Sequence, residues 1–334
     1  MTLELSSTIM RAACICEIGK PSVIRIYHDI AIPKIQPNEV LIKVAAVAVS
    51  ILDVMIRAGM SCHTPMFPYI PGNNASGTIV KVGDWVRKDY QVGERVATFM
   101  NVRTGASADY AAVNTSWIIR IPKDFSLRKA ACLGNSYMIA YRALFQMADA
   151  KPEEYVLVHG CYGGIGLAAL QLAKTKGLIV IGTAGTREDL AMLRVQGFHH
   201  CLNHTVKGYE NEIVRICHNQ CGPKIIIEMR ADENLDTDLN ICCMGATICI
   251  VENRGSVDIN PRKLMTKEVH IAGVVLHTLS RAHVREMKAG IETGVRLGHL
   301  NPYTSFEYKF DDIQEAHKQA GTDEGSKGDV VVIL

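Results

Sequence analysis

The chain has 334 residues, a length that at roughly 150 residues per domain favours about two domains. Hydrophobic residues make up 48% and charged residues 21%, which excludes disorder, a collagen-like repeat and a disulfide-stapled miniprotein. Lys plus Arg (36) and Asp plus Glu (34) nearly cancel to a formal charge of +2, so bulk charge carries no nucleic-acid or membrane footprint.

The opening MTLELSSTIM lacks a basic segment followed by an apolar run, so no secretory signal is expected. No stretch approaches the ~18 apolar residues of a membrane span. The nearest, Val40 to Leu52, contains Lys43 and reads as a buried strand. The 11 cysteines are odd in number, and several sit in apolar runs. Reduced, buried thiols and a cytoplasmic location are the expectation.

The first 130 or so residues read as β-rich. Apolar, β-branched runs at Ala12–Cys16, Val40–Val49, Thr78–Val82, Val92–Val96 and Asp109–Val113 alternate with prolines and glycines. Helical spacing appears at Ser126–Leu133 and Tyr137–Met147. After Pro152 strands and helices alternate: strands at Tyr155–His159, Leu178–Gly182, Lys224–Met229, Thr247–Val251 and Val269–Leu276, helices at Leu167–Lys176 and Glu188–Val195. Such alternation implies a doubly wound parallel sheet covered on both faces. The final Asp329–Leu334 reads as a strand returning to the first domain. The expected fold is therefore α/β, with a β-rich domain at 1–130 plus 301–334 and a nucleotide-binding domain at 131–300.

The strongest local signal is Val156-Leu157-Val158-His159-Gly160-Cys161-Tyr162-Gly163-Gly164-Ile165-Gly166 followed by a helix. Strand, glycine turn and helix in that order let the backbone approach a pyrophosphate, which the N–H groups of the helix start then bind. An NAD-selective site carries Asp or Glu at the tip of the second strand, about 20 residues on. Here that tip is Gly182-Thr183-Ala184-Gly185-Thr186, with Arg187 next. A missing carboxylate, small hydroxyls and a cation favour the 2′-phosphate of NADP(H). No metal is expected. Cys14/Cys16, Cys217/Cys221 and Cys242/Cys243 lack the second pair that a structural zinc site needs, and the His199-His200-Cys201…His204 cluster is better explained by a strand end. Without a Lewis acid, reduction of an electrophilic acceptor is favoured over alcohol oxidation.

The residues at 156–166, Gly182–Thr186, Asn203-His204, Ile225–Met229, Arg254-Gly255, Asp258–Arg262 and Ala140–Leu144 together resemble the zeta-crystallin, or NADPH:quinone oxidoreductase, family of the medium-chain dehydrogenase/reductase superfamily. The likeness spans essentially the whole chain. It implies a zinc-free fold with a GroES-like domain and a Rossmann domain, NADPH binding, reduction of quinones (ortho-quinones in particular), a cytoplasmic homotetramer and binding of AU-rich messenger RNA.

On matched positions it implies cofactor contacts from Tyr162, Gly163, Gly164 and Ile165 at the pyrophosphate. Gly185, Arg187 and His204 fall at the adenosine-phosphate end. Asn234, the run Val251, Glu252, Asn253 and Arg254, and Val274, Val275 and Leu276 fall toward the nicotinamide. The run at 274–276 read by itself is a plain strand. Where the family lines its quinone pocket with an Asn and two Tyr, this chain has Ser50, Met55 and Ser61, so no catalytic acid or base is assigned. Tyr162 replaces a small residue, and Glu252 replaces a glycine. Two other functions compete with quinone reduction: an NADPH-dependent reductase of enones and alkenals, and a catalytically weak NADPH-binding protein acting as an RNA-binding or crystallin-like protein.

Overall fold

The computed structural model describes residues 7–61, 65–99, 103–217, 221–322 and 327–334. It divides into two compact units, residues 1–135 with 284–334, and residues 136–283. The first border lies just past the expected 130/131, and the second falls before 300/301 because it is crossed by one long helix. From Val284 onward it belongs to the first unit, where Glu292 Oε1 accepts from the Arg120 N–H at 2.8 Å and Lys288 Nζ donates to the Thr115 carbonyl at 3.1 Å.

The first unit begins with the hairpin strands β1 (Ile9–Ile15) and β2 (Ile24–Ala31), followed by β3 (Glu39–Val49), the short helix α1 (Ile51–Ala58) and β4 (Asn74–Val82). Next come β5 (Arg95–Thr98), β6 (Tyr110–Asn114), β7 (Ile118–Arg120) and helix α2 (Leu127–Ala131). Strand β3 is the spine of the sheet. It pairs antiparallel with β4 and with β6. The close approach of β3 and β4 requires a glycine, since a Cβ on Gly77 would meet the Lys43 carbonyl oxygen at 2.1 Å. The expected strand from Val40 to Leu52 ends early, at Val49. Ser50 stops it by capping α1: its Oγ accepts from the Asp53 N–H, and the Asp53 carboxylate accepts from the Ser50 N–H.

The second unit opens with α3 (Asn135–Tyr141), then alternates strand and helix through β8 (Tyr155–Val158), α4 (Gly164–Thr175), β9 (Ile179–Ala184), α5 (Arg187–Gln196) and β10 (His200–Asn203). It continues with α6 (Tyr209–Ile216), β11 (Ile225–Glu228), α7 (Ala231–Ile241), β12 (Thr247–Ile250), α8 (Pro261–Lys267) and β13 (His270–Gly273). The sheet order is β10-β9-β8-β11-β12-β13, and every pairing is parallel. Strand order reverses between β8 and β11, the switch point at which doubly wound sheets bind ligands. Burial on both faces explains the run Ile225-Ile226-Ile227: all three are fully buried, each worth about 2 kcal/mol in removed apolar surface. The expected strand Val269–Leu276 ends at Gly273. Val274 N–H still bonds the Ile250 carbonyl at 2.8 Å, after which the chain leaves the sheet.

Helix α9 (Arg281–Arg296) leads back to the first unit, which β14 (Thr304–Lys309), α10 (Ile313–Ala320) and β15 (Asp329–Ile333) complete. As expected, the terminal strand returns to the first unit, where β15 pairs antiparallel with β3. Among the described residues no helix is long and apolar enough to cross a membrane. Ten described cysteines are free thiols, seven of them buried; Cys62 lies outside the described residues.

Candidate functional site: a dinucleotide cradle with a buried ionic network

The glycine turn lies at the carboxyl end of β8, where the sheet order reverses. The strand runs one residue further by a bond from the His159 N–H to the Ile227 carbonyl (3.1 Å), and Gly160 then turns with φ +53°. Cys161 is buried and pins the turn to β9, its Sγ 3.3 Å from the Thr183 carbonyl oxygen. Two neighbours must be glycine for that contact. A Cβ on Gly182 would stand 2.6 Å from Cys161 Sγ, and one on Gly166 would stand 2.5 Å from Cys161 Cα. Gly163 caps α4 in extended backbone with no side-chain cap bond. The N–H groups of Gly164, Ile165 and Gly166 lie in the first turn and have no intrahelical acceptor. This arrangement fits a pyrophosphate.

At the tip of β9 the structure brings Gly185 and His204 together; a Cβ on Gly185 would lie 3.0 Å from His204 Nε2. Arg187, the first residue of α5, is exposed. Thr186 is not free to read a phosphate as expected. Its hydroxyl caps α5, donating to Asp189 Oδ2 at 2.6 Å and accepting from the Asp189 N–H at 3.1 Å. A 2′-phosphate would therefore meet Arg187, with His204 beside it, while the Asp189 carboxylate is held by the Thr186 cap.

The loop after β12 packs on the start of α7. Ala231 N–H reaches the Glu252 carbonyl at 3.5 Å, and Arg254 N–H bonds Asp232 Oδ1 at 3.2 Å. Glu252 faces its neighbour Arg254, with Oε1 3.4 Å from Nε, both side chains about a third exposed. Half-buried Tyr162 sits among charges: burial and Asp189 push its phenol pKa up, and Arg254 and Arg230 pull it down. Asn253 is exposed and Val251 half-buried, its N–H bonded to the Glu228 carbonyl at 2.9 Å. Val274 and Leu276 are buried, and Val275 is 39% exposed.

Beneath the turn lies a network that sequence reasoning missed. His159 Nε2 is 2.9 Å from Asp238 Oδ1 and 3.7 Å from Glu228 Oε2, and Thr183 Oγ1 is 3.4 Å from His159 Nδ1. The three ionisable side chains are 3%, 0% and 0% exposed. Burial alone drives an imidazole's pKa down; here the charge and hydrogen bond of Asp238, with the charge of Glu228, outweigh burial and hold His159 at about 9. Burial pushes the Glu228 carboxyl up to about 7, against the pull of His159 and with the help of Asp238. Among the described residues this is the one cluster whose ligand-type atoms all lie within 4.8 Å of one another. Its members come from a strand end, a second strand end and a helix, 79 residues apart at the widest hydrogen bond, so no local motif announces them.

In the first unit, Ser50, Met55 and Ser61 lie at the cap, in the body and just after the end of α1, each half-buried. The Ser50 hydroxyl donates to Asp53 Oδ2 at 2.6 Å. Asp53, unremarked in the sequence, is buried and also accepts from the Gly72 N–H at 3.3 Å. Burial raises its pKa, and the Ser50 and Gly72 bonds oppose the rise. Asp53 thus ties the start of α1 to the chain just before β4 through hydroxyl and backbone donors.

A family model described as "Alcohol dehydrogenase GroES-like domain" matches residues 36–123, and one described as "Zinc-binding dehydrogenase" matches residues 164–292. The chain is 36% identical to a human quinone oxidoreductase over 326 residues, covering 98% of each. It is 35% identical to the quinone oxidoreductase of Rattus norvegicus over the same share. Among solved structures, Escherichia coli quinone oxidoreductase complexed with NADPH aligns with a TM-score of 0.84 over 97% of this chain and all of its own; at 21% identity that likeness concerns the fold alone.

Proposed function

The chain belongs to the quinone oxidoreductase (zeta-crystallin) family of the medium-chain dehydrogenase/reductase superfamily, and from that premise we propose that it is an NADPH-dependent quinone reductase acting without a metal, with ortho-quinones as preferred acceptors. The observation that carries the reading is the glycine turn at the strand-order reversal, opening a helix whose N-cap, Gly163, supplies no side-chain cap bond. The first N–H groups of that helix bind the pyrophosphate. Arg187 supplies the cation for a 2′-phosphate, and the absent carboxylate at the tip of β9 removes the usual handle for NAD. Tyr162 and the 251–254 loop border the phosphates, and Asn234 and Val274–Leu276 border the nicotinamide.

Bound NADPH supplies a hydride. A quinone is already electrophilic, and its reduced oxygens take protons from water, so the chain's task is to hold two rings in contact rather than to donate a proton. Ser50 fits that division: its hydroxyl is committed to Asp53 and is a poor proton donor. The test is loss of absorbance at 340 nm with NADPH and an ortho-quinone, run beside an alkenal. Quinone-dependent oxidation is expected. Oxidation with the alkenal alone would give the enone-reductase function instead, and NADPH binding without oxidation of either would leave a binding protein.

A further inference from the structure

We infer that Glu228 is a positioning residue for the coenzyme site, because its carboxylate fixes which end of the Asn234 side-chain amide faces outward. Glu228 closes β11 and is fully buried. Its Oε1 accepts from the Arg230 N–H and, at 3.1 Å, from Asn234 Nδ2. An ionised carboxylate only accepts, so it must take the NH2 end of the amide. With Nδ2 held inward, the atom Asn234 offers a ligand is Oδ1, an acceptor. The site therefore selects a donor at that point: a ribose hydroxyl or a carboxamide NH2, both of which a nicotinamide nucleotide carries. This inference rests on the coenzyme reading above.

The other oxygen ties the same carboxylate to the glycine turn, since Oε2 lies 3.7 Å from His159 Nε2. One buried group thus joins the residue that starts the turn to the residues that open α7. The titratable groups facing it are His159 from the turn, Asp238 from the body of α7 and Tyr209 from α6, with His204 beyond His159; Arg230 meets it through its backbone N–H, its guanidinium pairing with Asp232 and Glu233. Burial brings the Glu228 carboxyl up to about 7, within reach of ordinary solution pH. Once protonated, Glu228 can donate as well as accept, and the amide is no longer held one way round. Coenzyme affinity then falls as pH drops from 8 to 6.

NADPH titrations of the intact protein at both pH values test this in the wild type, Glu228→Gln, Asn234→Ala and the double variant. Wild-type binding should weaken on the order of five-fold at pH 6, the scale of losing one charge-assisted bond, beyond the coenzyme's own phosphate titration, which all four proteins share. Glu228→Gln and Asn234→Ala should each bind roughly five-fold weaker at pH 8, lose the extra pH dependence, and combine with no further loss. Wild-type affinity and slope in Glu228→Gln would overturn the inference, and so would additive losses, which is what unrelated structural damage produces. If Glu228→Gln does not fold, an unchanged pH slope in Asn234→Ala overturns it. A stoichiometric metal that elemental analysis finds in the wild type and that Glu228→Gln loses would also overturn it, by making the cluster a cation site. Wild-type protein that binds no NADPH at either pH removes the coenzyme reading itself, a result distinct from all of these.

Discussion

Glu252 stands where the family resemblance places a glycine, and its carboxylate answers Arg254 across 3.4 Å rather than standing alone. With both side chains about a third exposed, the pair itself contributes little, but it competes with any phosphate for the guanidinium. Glu252→Gln should therefore tighten NADPH binding about two-fold, the scale of one exposed ion pair, in the same fluorescence titration. Arg187 belongs to the opposite end of the coenzyme. It is exposed, so its worth is specific to the 2′-phosphate. Arg187→Ala should weaken NADPH binding about five-fold and leave NADH unchanged; equal losses would remove the cofactor preference. Arg187 could be picked from the sequence because it follows the glycine-bearing tip of β9, and Glu252 because the family resemblance places a glycine there. What could not be picked is the direction each side chain takes: the same string of letters leaves Thr186 free to read a phosphate, whereas the fold spends its hydroxyl on the α5 cap.

At the scale of elements, the parallel strands, the glycine turn and the returning terminal strand were legible because each has a signature that burial imposes. Runs such as Ile225-Ile226-Ile227 suit only a strand covered on both faces, and glycines are forced wherever Cys161 packs. Helices α1 and α7 were not legible. The apolar ILDVMIRA continues the pattern of β3, and only the Ser50–Asp53 capping box separates helix from strand. The sequence of α7, ADENLDTDLNI, is largely polar, so its buried stripe of Ala231, Leu235, Asp238 and Leu239 escapes a search for apolar periodicity. The buried network escapes for a related reason: His159, Glu228 and Asp238 are remote in sequence and meet only when α7 packs beneath β8 and β11. The capping argument carries its own prediction. Ser50→Ala removes both the bond to Asp53 and the helix stop, and should cost the first unit about 1 kcal/mol, read as a lower urea midpoint. Ser50→Asn, a residue that also caps, should restore most of it.

For the whole molecule, the two units should respond to pH with opposite signs. In the first, His317 on α10 is buried; desolvation, aided by the neighbouring Arg57, depresses its pKa from 6.5 to about 3. The unfolded chain takes up that proton near pH 6.5 and the folded one does not. Stability from His317 is therefore complete above 6.5 and is lost progressively as pH falls toward 3, by roughly 1.4 kcal/mol one unit below 6.5. In the second unit His159 is raised to about 9 and Glu228 to about 7, so the folded state holds protons that the unfolded chain releases. Their contribution is complete at low pH and is lost as pH rises through 7 and then 9. The reporters separate the two effects, because both tryptophans, Trp85 and Trp117, belong to the first unit. Lowering the pH from 7.5 to 5.5 should reduce the tryptophan-detected urea midpoint, and His317→Asn should abolish that dependence whatever its effect on absolute stability. Raising the pH from 7 to 9 should instead speed amide hydrogen exchange in β8, β11 and α7 beyond the intrinsic base-catalysed rise. Uniform protection changes across both units would show that neither buried imidazole sets the response.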